Sequence, residues 1–183
     1  MHVDAVGSWL PFVEISGIPF KLPFPEKTLK LETERIFEKS FKQISFETEG
    51  KTARVGFKAQ CPLKVDFYKI SVPKKGEIIC GDSVTAFCDD DGFFYSIISD
   101  GMGKGHKAAS ESNLVIKTIL DLLKYNVPVE EAMRLMNSIM VIKNDIDLYA
   151  TLDLAVIDKK TGKAVFYKIG AAPSLIKKQN RIE

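Results

Sequence analysis

Four residues near the middle of the chain, Asp89-Asp90-Asp91-Gly92, limit the fold more than any other feature. They form a strong turn sequence, and they stand between SVTAFCD and FFYSIIS, two runs of strand length and composition. Strands joined by a tight turn run antiparallel and bring their outer ends together. Asp82 stands just before this hairpin and Asp100 just after it, so two carboxylates fall side by side on adjacent strands, about 5 Å apart between backbones. Such a pair repels unless a cation lies between the acids or one of them is protonated. A plainer alternative is that each aspartate caps the turn after it, since Asp-Ser and Asp-Gly are common turn chemistry. Spacing leaves both readings open.

After Asp100 come Gly101, Gly103 and Gly105, and then a helical pattern. Counting excludes three familiar loops. A helix-loop-helix calcium site with Gly92 in the glycine place would need ligands at Phe87 and Ile98. A P-loop would need lysine and then serine or threonine directly after Gly105, where His106 stands. A dinucleotide fingerprint starting at Gly101 would need glycine at His106. What survives is backbone that approaches something closely or adopts positive φ, or else a flexible connection. His106 itself fits an exposed helix start as well as a ligand.

Elsewhere the chain alternates between strand and helix signals. Leu29, Ile36, Phe37, Phe41 and Ile44 form a stripe on a helix expected over Thr28 to Lys42. Ile44 and Phe46, a Glu49-Gly50 turn, and Val55 and Phe57 predict a hairpin, and Asp66 to Val72 reads as a further strand. Two helices follow the glycines, one striped by Ala108, Val115, Ile119, Leu122 and Leu123. The other opens after Pro128 and carries Ala132, Leu135, Met136, Ile139 and Met140. The Asn126-Val127-Pro128 turn makes them an antiparallel layer over a sheet. Tyr149 to Asp158 and Lys163 to Gly170 add a hairpin, with a last strand at SLIKK. Leu152, Leu154 and Val156 share one face, and Thr151 and Asp153 share the other. Asp153 is either an acid behind a metal site or part of a solvated strand face.

Gly7 to Lys27 is apolar, but Pro11, Pro19, Pro23 and Pro25, with Glu14 and Lys21, exclude a spanning helix. It reads as an extended segment (residues 1–27) that packs on its own domain, packs on a neighbouring copy, or continues from something upstream; residues 28–183 form the domain proper. With 45% apolar and 27% charged residues and a net charge of +2, the chain is of soluble globular class, with no basic field for nucleic acid or an anionic membrane. Cys61, Cys80 and Cys88, odd in number and without CxxC spacing, read as buried free thiols in a reducing, cytoplasmic setting. With His2 and His106 as the only histidines, His-based zinc chemistry lacks ligands.

CGDSVTAF, IISDGMGKGHKAASESN, YATLDLAVID and YKIGAAPSLIKK, in that order, resemble the phosphatase domains of the sporulation stage II protein E family, within the metal-dependent type 2C (PPM) superfamily. The resemblance runs from about Gly76 to the chain end and more loosely back to about Lys42, and S-D-G-M-G-x-G is its most specific part. It implies an α/β (α+β) fold, an αββα sandwich of antiparallel sheets with an outer two-helix layer. It implies that Asp100 bridges two Mn²⁺ or Mg²⁺ ions, that the Gly101 carbonyl binds one of them, and that Asp82 binds that same ion directly or through water. Lys104 and His106 would lie near the rim. The ions, about 3.5–4 Å apart, would acidify a bridging water for attack on phosphoserine or phosphothreonine.

Such domains carry two more metal-binding aspartates, in a later S-D-G and a near-terminal D-D-x-T, and neither is in this sequence. The sandwich is therefore expected to be incomplete, a truncated domain that binds at most one ion weakly and is inactive alone. Its exposed sheet edges would favour homodimerisation or strand exchange. The resemblance makes the parent protein a serine/threonine phosphatase acting on a phosphorylated anti-anti-sigma-type protein, cytoplasmic or tethered to a membrane through segments outside this sequence. The alternative is a non-catalytic regulatory or assembly module of the same fold. An anion- or nucleotide-binding domain is disfavoured, because Asp100 would repel phosphate without a metal.

Overall fold

The computed structural model describes residues 2–6, 10–18, 26–143, 150–179 and 181–182. They fall into two compact units: Met1–Val65 with Asp89–Phe93 and Asp158–Gly162, and Asp66–Cys88 with Phe94–Ile157 and Lys163–Glu183.

The first unit holds an antiparallel sheet of β1 (His2–Val6), β2 (Phe12–Gly17), β3 (Phe41–Glu49) and β4 (Thr52–Ala59), in the order β1-β2-β4-β3, with helix α1 (Glu26–Phe37). Register sets Val13 opposite Phe57 and Ile15 opposite Val55. These side chains, with Phe41 and Ala59, make the core that Leu10, Leu29 and Phe37 cover. The apolar segment near the amino terminus is thus a strand over Phe12–Gly17, while Pro19, Pro23 and Pro25 lie outside the described residues.

The expected helix is shorter than its stripe. It ends at Phe37, because Glu38 takes a positive φ of 53°, and Phe41 opens a strand whose first N–H donates to Glu34 Oε1 at 2.9 Å. The helix face that packs is Leu29, Thr33 and Phe37, whereas Ile36 is exposed. The β3–β4 hairpin closes on the expected turn, with Glu49 opposite Thr52, but a bulge between Gln43 and Ser45 interrupts its ladder, and Ile44 and Phe46 are exposed. Asp66 to Val72 is not a strand: it joins no ladder, and Tyr68 and Ile70 are 90% and 87% exposed. Alternation supplies strand preference, but a strand exists only against a partner edge.

The second unit is built on β5 (Asp82–Cys88), β6 (Phe93–Asp100), β7 (Leu152–Asp158) and β8 (Ala164–Ile169), in that spatial order. Helix α2 (Gly105–Lys124) lies against β5 and against α3 (Val129–Lys143). Leu152, Leu154 and Val156 are buried together, as their alternation predicts. On α2 the buried face is Ala108, Val115, Ile116 and Ile119, with two polar residues, Glu111 and Ser112, inside it. On α3 it is Ala132, Met133, Met136 and Met140, while Leu135 is exposed.

Helix α2 ends because Asn126 takes a φ of 58°, with Asn126 N–H bonded to Leu123 O and Val127 N–H to Leu122 O, both at 3.1 Å. This left-handed stop before Pro128 reverses the chain. The strand expected at SLIKK reduces to β9 (Lys177–Lys178), which pairs only with β10 (Arg181–Ile182). All three cysteines are free, but Cys61 and Cys80 are only half-buried and Cys88 is exposed, contrary to the expected burial.

Candidate metal centre

The β5–β6 ladder sets Asp82 directly opposite Asp100, as the turn at Asp89 to Gly92 requires. Both acids sit at one end of the hairpin, and both are exposed. Asp100 is raised above its ordinary pKa, first by the hydrogen bond it shares with Asp82, then by burial and by the charge of Asp82. A proton held between the two carboxylates would relieve their repulsion, and so would a cation.

The backbone around each acid is fixed by a different element. Asp100 N–H donates to Thr151 Oγ1 at 3.0 Å, Thr151 N–H donates to Asp100 O at 2.8 Å, and the buried Ser99 hydroxyl donates to Thr151 O at 2.7 Å. An isolated antiparallel bridge from Gly101 to Ala150 continues that contact. Asp82 is held from the helix side. Ser83 and Ser112 hydroxyls meet at 2.8 Å, and Ser112 Oγ donates to Gly81 O at 2.7 Å, so one buried serine of α2 grips both neighbours of Asp82. Cys80 Sγ lies 3.7 Å from Asp82 Oδ2.

The four glycines around the acids divide by cause. At Gly101 a Cβ would stand 1.9 Å from Ala108 O, and at Gly81 it would stand 2.9 Å from Ala108 Cβ. The first turn of α2 therefore packs directly on the backbone beside both acids. Gly103 and Gly105 serve conformation instead, with φ of 106° and 58°.

Lys104 precedes α2 in an extended conformation without a side-chain cap bond, and both Lys104 and His106 are exposed. Asp153 stands opposite Lys168 in the β7–β8 ladder and is ion-paired with its Nζ. Among the described residues, no three His, Cys, Asp or Glu side chains converge as a metal cluster. Sequence reasoning did not find Thr151, Ser112 or Cys80. Ser112 left one trace, a small polar residue four positions after Ala108 on the apolar face of the helix.

Chemically, the centre is acceptor-only oxygen. It fits a hard divalent cation in place of the shared proton, with the remaining coordination positions left to other donors or water.

The family model described as stage II sporulation protein E (SpoIIE) matches residues 90–183, just over half of the chain. Stage II sporulation protein E of Bacillus subtilis (strain 168) is 31% identical over 130 residues, which is 71% of this chain and 16% of that protein. The Priestia megaterium protein of the same name is 33% identical over 109 residues, 60% of this chain and 19% of that protein. The chain thus spans less than a fifth of the length of these curated relatives. The solved structure of the PP2C phosphatase domain and a fragment of the regulatory domain of SpoIIE from Bacillus subtilis aligns with a TM-score of 0.72 and 26% identity, covering 100% of this chain and 55% of that one. By family match and by fold alike, the chain belongs to the stage II sporulation protein E family and corresponds to part of its PP2C-type phosphatase domain.

Proposed function

We propose that this chain contributes to a Mn²⁺- or Mg²⁺-dependent protein phosphatase that hydrolyses phosphoserine or phosphothreonine, with a small phosphorylated protein of the anti-anti-sigma type as substrate. The observation that carries the reading is the like-charged pair Asp82 and Asp100, locked in register at the sheet end by Ser112 and Thr151. Asp82, Asp100 and the Gly101 carbonyl would hold the cation. Bound there, it would neutralise phosphate charge and acidify a water. The chain's own part is positional: Thr151 fixes the Asp100 backbone, and Ser112 with Ala108 fixes the segment carrying Asp82. Lys104 and His106, exposed and close to Asp100 in sequence, would lie near the rim, where the Lys104 ammonium would attract the phosphoprotein.

The test is Mn²⁺-dependent release of phosphate from a phosphoserine protein. It compares this chain, a longer chain that continues through the rest of the phosphatase domain, and Asp100→Ala in each. Activity in the longer chain that Asp100→Ala abolishes supports the proposal. Undiminished activity in Asp100→Ala overturns it, and inactivity of both intact chains favours a non-catalytic module of the same fold.

A further inference from the structure

A cavity of about 590 Å³ opens beside Asp100 in the second unit. Asp100, Gly101 and Gly103 line it together with Met102, Val141 and Ile169, and Asn137 and Thr151 supply polar atoms. Asp100 is the one charged side chain in the described lining. Met102 and Val141 are 62% and 59% exposed, so apolar wall surface is left in water at the rim.

We infer that this pocket receives an uncharged apolar side chain adjacent to the phosphorylated residue of the protein substrate. The inference rests on the phosphatase reading and adds a sequence preference to it. Continuity supplies the occupant: a phosphate held at the acids puts the neighbouring residue of an extended peptide within about 3.3 Å of chain travel, at the pocket mouth. Charge supplies the preference. An acidic side chain would face the Asp100 carboxylate with no cationic side chain in the described lining, and a basic one would compete with the metal ion for that carboxylate. An aliphatic side chain instead removes the exposed Met102 and Val141 surface from water. The volume lies within the range of small-ligand sites, which leaves room for peptide backbone beside one large side chain. Asn137 offers an amide to that backbone.

The test measures binding rather than turnover. Fluorescein-labelled phosphoserine peptides carrying leucine or aspartate directly before or directly after the phosphoserine are titrated with the chain in Mn²⁺ and followed by anisotropy. The leucine peptide of one pair is expected to bind about tenfold tighter than its aspartate partner. Val141→Lys should erase that preference, and so should Met102→Lys, since a cation in the wall favours the aspartate peptide; both sites are exposed, and circular dichroism checks the fold. Amide shifts at Gly103, Val141 and Gly170 on adding the leucine peptide provide a second readout. Equal binding within both pairs, no peptide binding, or a preference untouched by both variants overturns the inference. Asp100→Asn separates the two readings. It should weaken both peptides and narrow the leucine preference without erasing it, because Met102 and Val141 remain; an unchanged affinity counts against phosphate recognition at the acids, whereas the remaining preference still reports on the pocket.

Discussion

The two hairpins of the second unit place an aspartate in a cross-strand pair and complete the pair in opposite ways. In β7–β8, Asp153 faces Lys168, and the two charges meet with side chains 21% and 24% exposed. In β5–β6, Asp82 faces Asp100, and the relief among the described residues comes from the hydrogen bond between the two acids and from the Cys80 thiol 3.7 Å from Asp82 Oδ2. Like charges directly opposite destabilise a ladder, and unlike charges support it. A sheet shaped for stability alone would use the lysine arrangement twice. The acid pair is better explained by something from outside the chain that completes it.

The strongest way to break this comparison is at the glycine that lets α2 approach the acid pair. Gly101→Ala would drive a Cβ to 1.9 Å from Ala108 O, where backbone must move. The expected loss is on the order of 4 kcal/mol, lowering the thermal midpoint by about 10 °C. Far-ultraviolet circular dichroism during heating measures it. An unchanged midpoint would mean that the helix is not seated on that backbone.

Next in size is Asp153→Ala, which leaves Lys168 unpaired in a half-buried place. Its cost should fall between that of an exposed and that of a buried broken pair, about 1–3 kcal/mol by denaturant unfolding. A neutral outcome would make the lysine hairpin no better satisfied than the acid one and remove the contrast. A smaller effect of opposite sign is expected at Glu111, a buried carboxylate whose Oε2 has no hydrogen-bond partner among the described residues. Glu111→Met should raise stability by about 1 kcal/mol, the cost of one unsatisfied buried polar group. A fall would reveal a partner for that oxygen in solution.

The acid hairpin was legible because hairpin geometry is local: a turn sequence and two short runs suffice to bring Asp82 and Asp100 together. The pairing of Asp153 with Lys168 is equally local, yet it needs the register of a hairpin whose turn, Asp158 to Gly162, is less distinctive. Thr151 was not legible as the anchor of Asp100, because the two are fifty-one residues apart and meet only through sheet order. Phe41 has a helical signature in the sequence because it continues the Phe37 period by four residues. The left-handed Glu38 that breaks that period is not a glycine or an asparagine, and nothing in the sequence announced it. The exposed run from Asp66 to Val72 failed for a related reason, since alternation cannot say whether an edge is available.

The pH dependence sharpens the comparison without altering the fold. Asp100 is raised above its ordinary value of 3.8, so the folded metal-free protein keeps a proton that the unfolded chain releases. Stability should therefore fall as pH rises from 3.8 through the folded pKa, with the penalty complete above it. Asp90, Glu130 and Asp158 are lowered, by the Lys58 hydrogen bond, the Tyr167 hydroxyl and the Lys160 amide respectively, and they act in the reverse sense. The difference between wild type and Asp82→Asn isolates the pair. That variant should be the more stable at neutral pH without metal, and added Mn²⁺ should stabilise wild type more than the variant. Parallel pH curves would contradict the shared proton.

The smallest effect concerns a third way of satisfying an acid, by a neutral donor. Tyr167, beside Lys168 on β8, donates its hydroxyl to Glu130 Oε1 at 2.6 Å. That bond, with burial and the Glu130 charge, pushes the phenol up to about 12. A phenol raised in the folded state contributes stability below its ordinary value of 10.0, and that contribution is lost as pH rises toward about 12. Because Glu130 stays exposed, little folding stability is at stake, and near-ultraviolet absorbance is the better readout. The Tyr167 phenol should titrate late, and Glu130→Gln should return it toward 10.0. If the absorbance titrations of wild type and Glu130→Gln coincided, the hydroxyl would not be bound to Glu130.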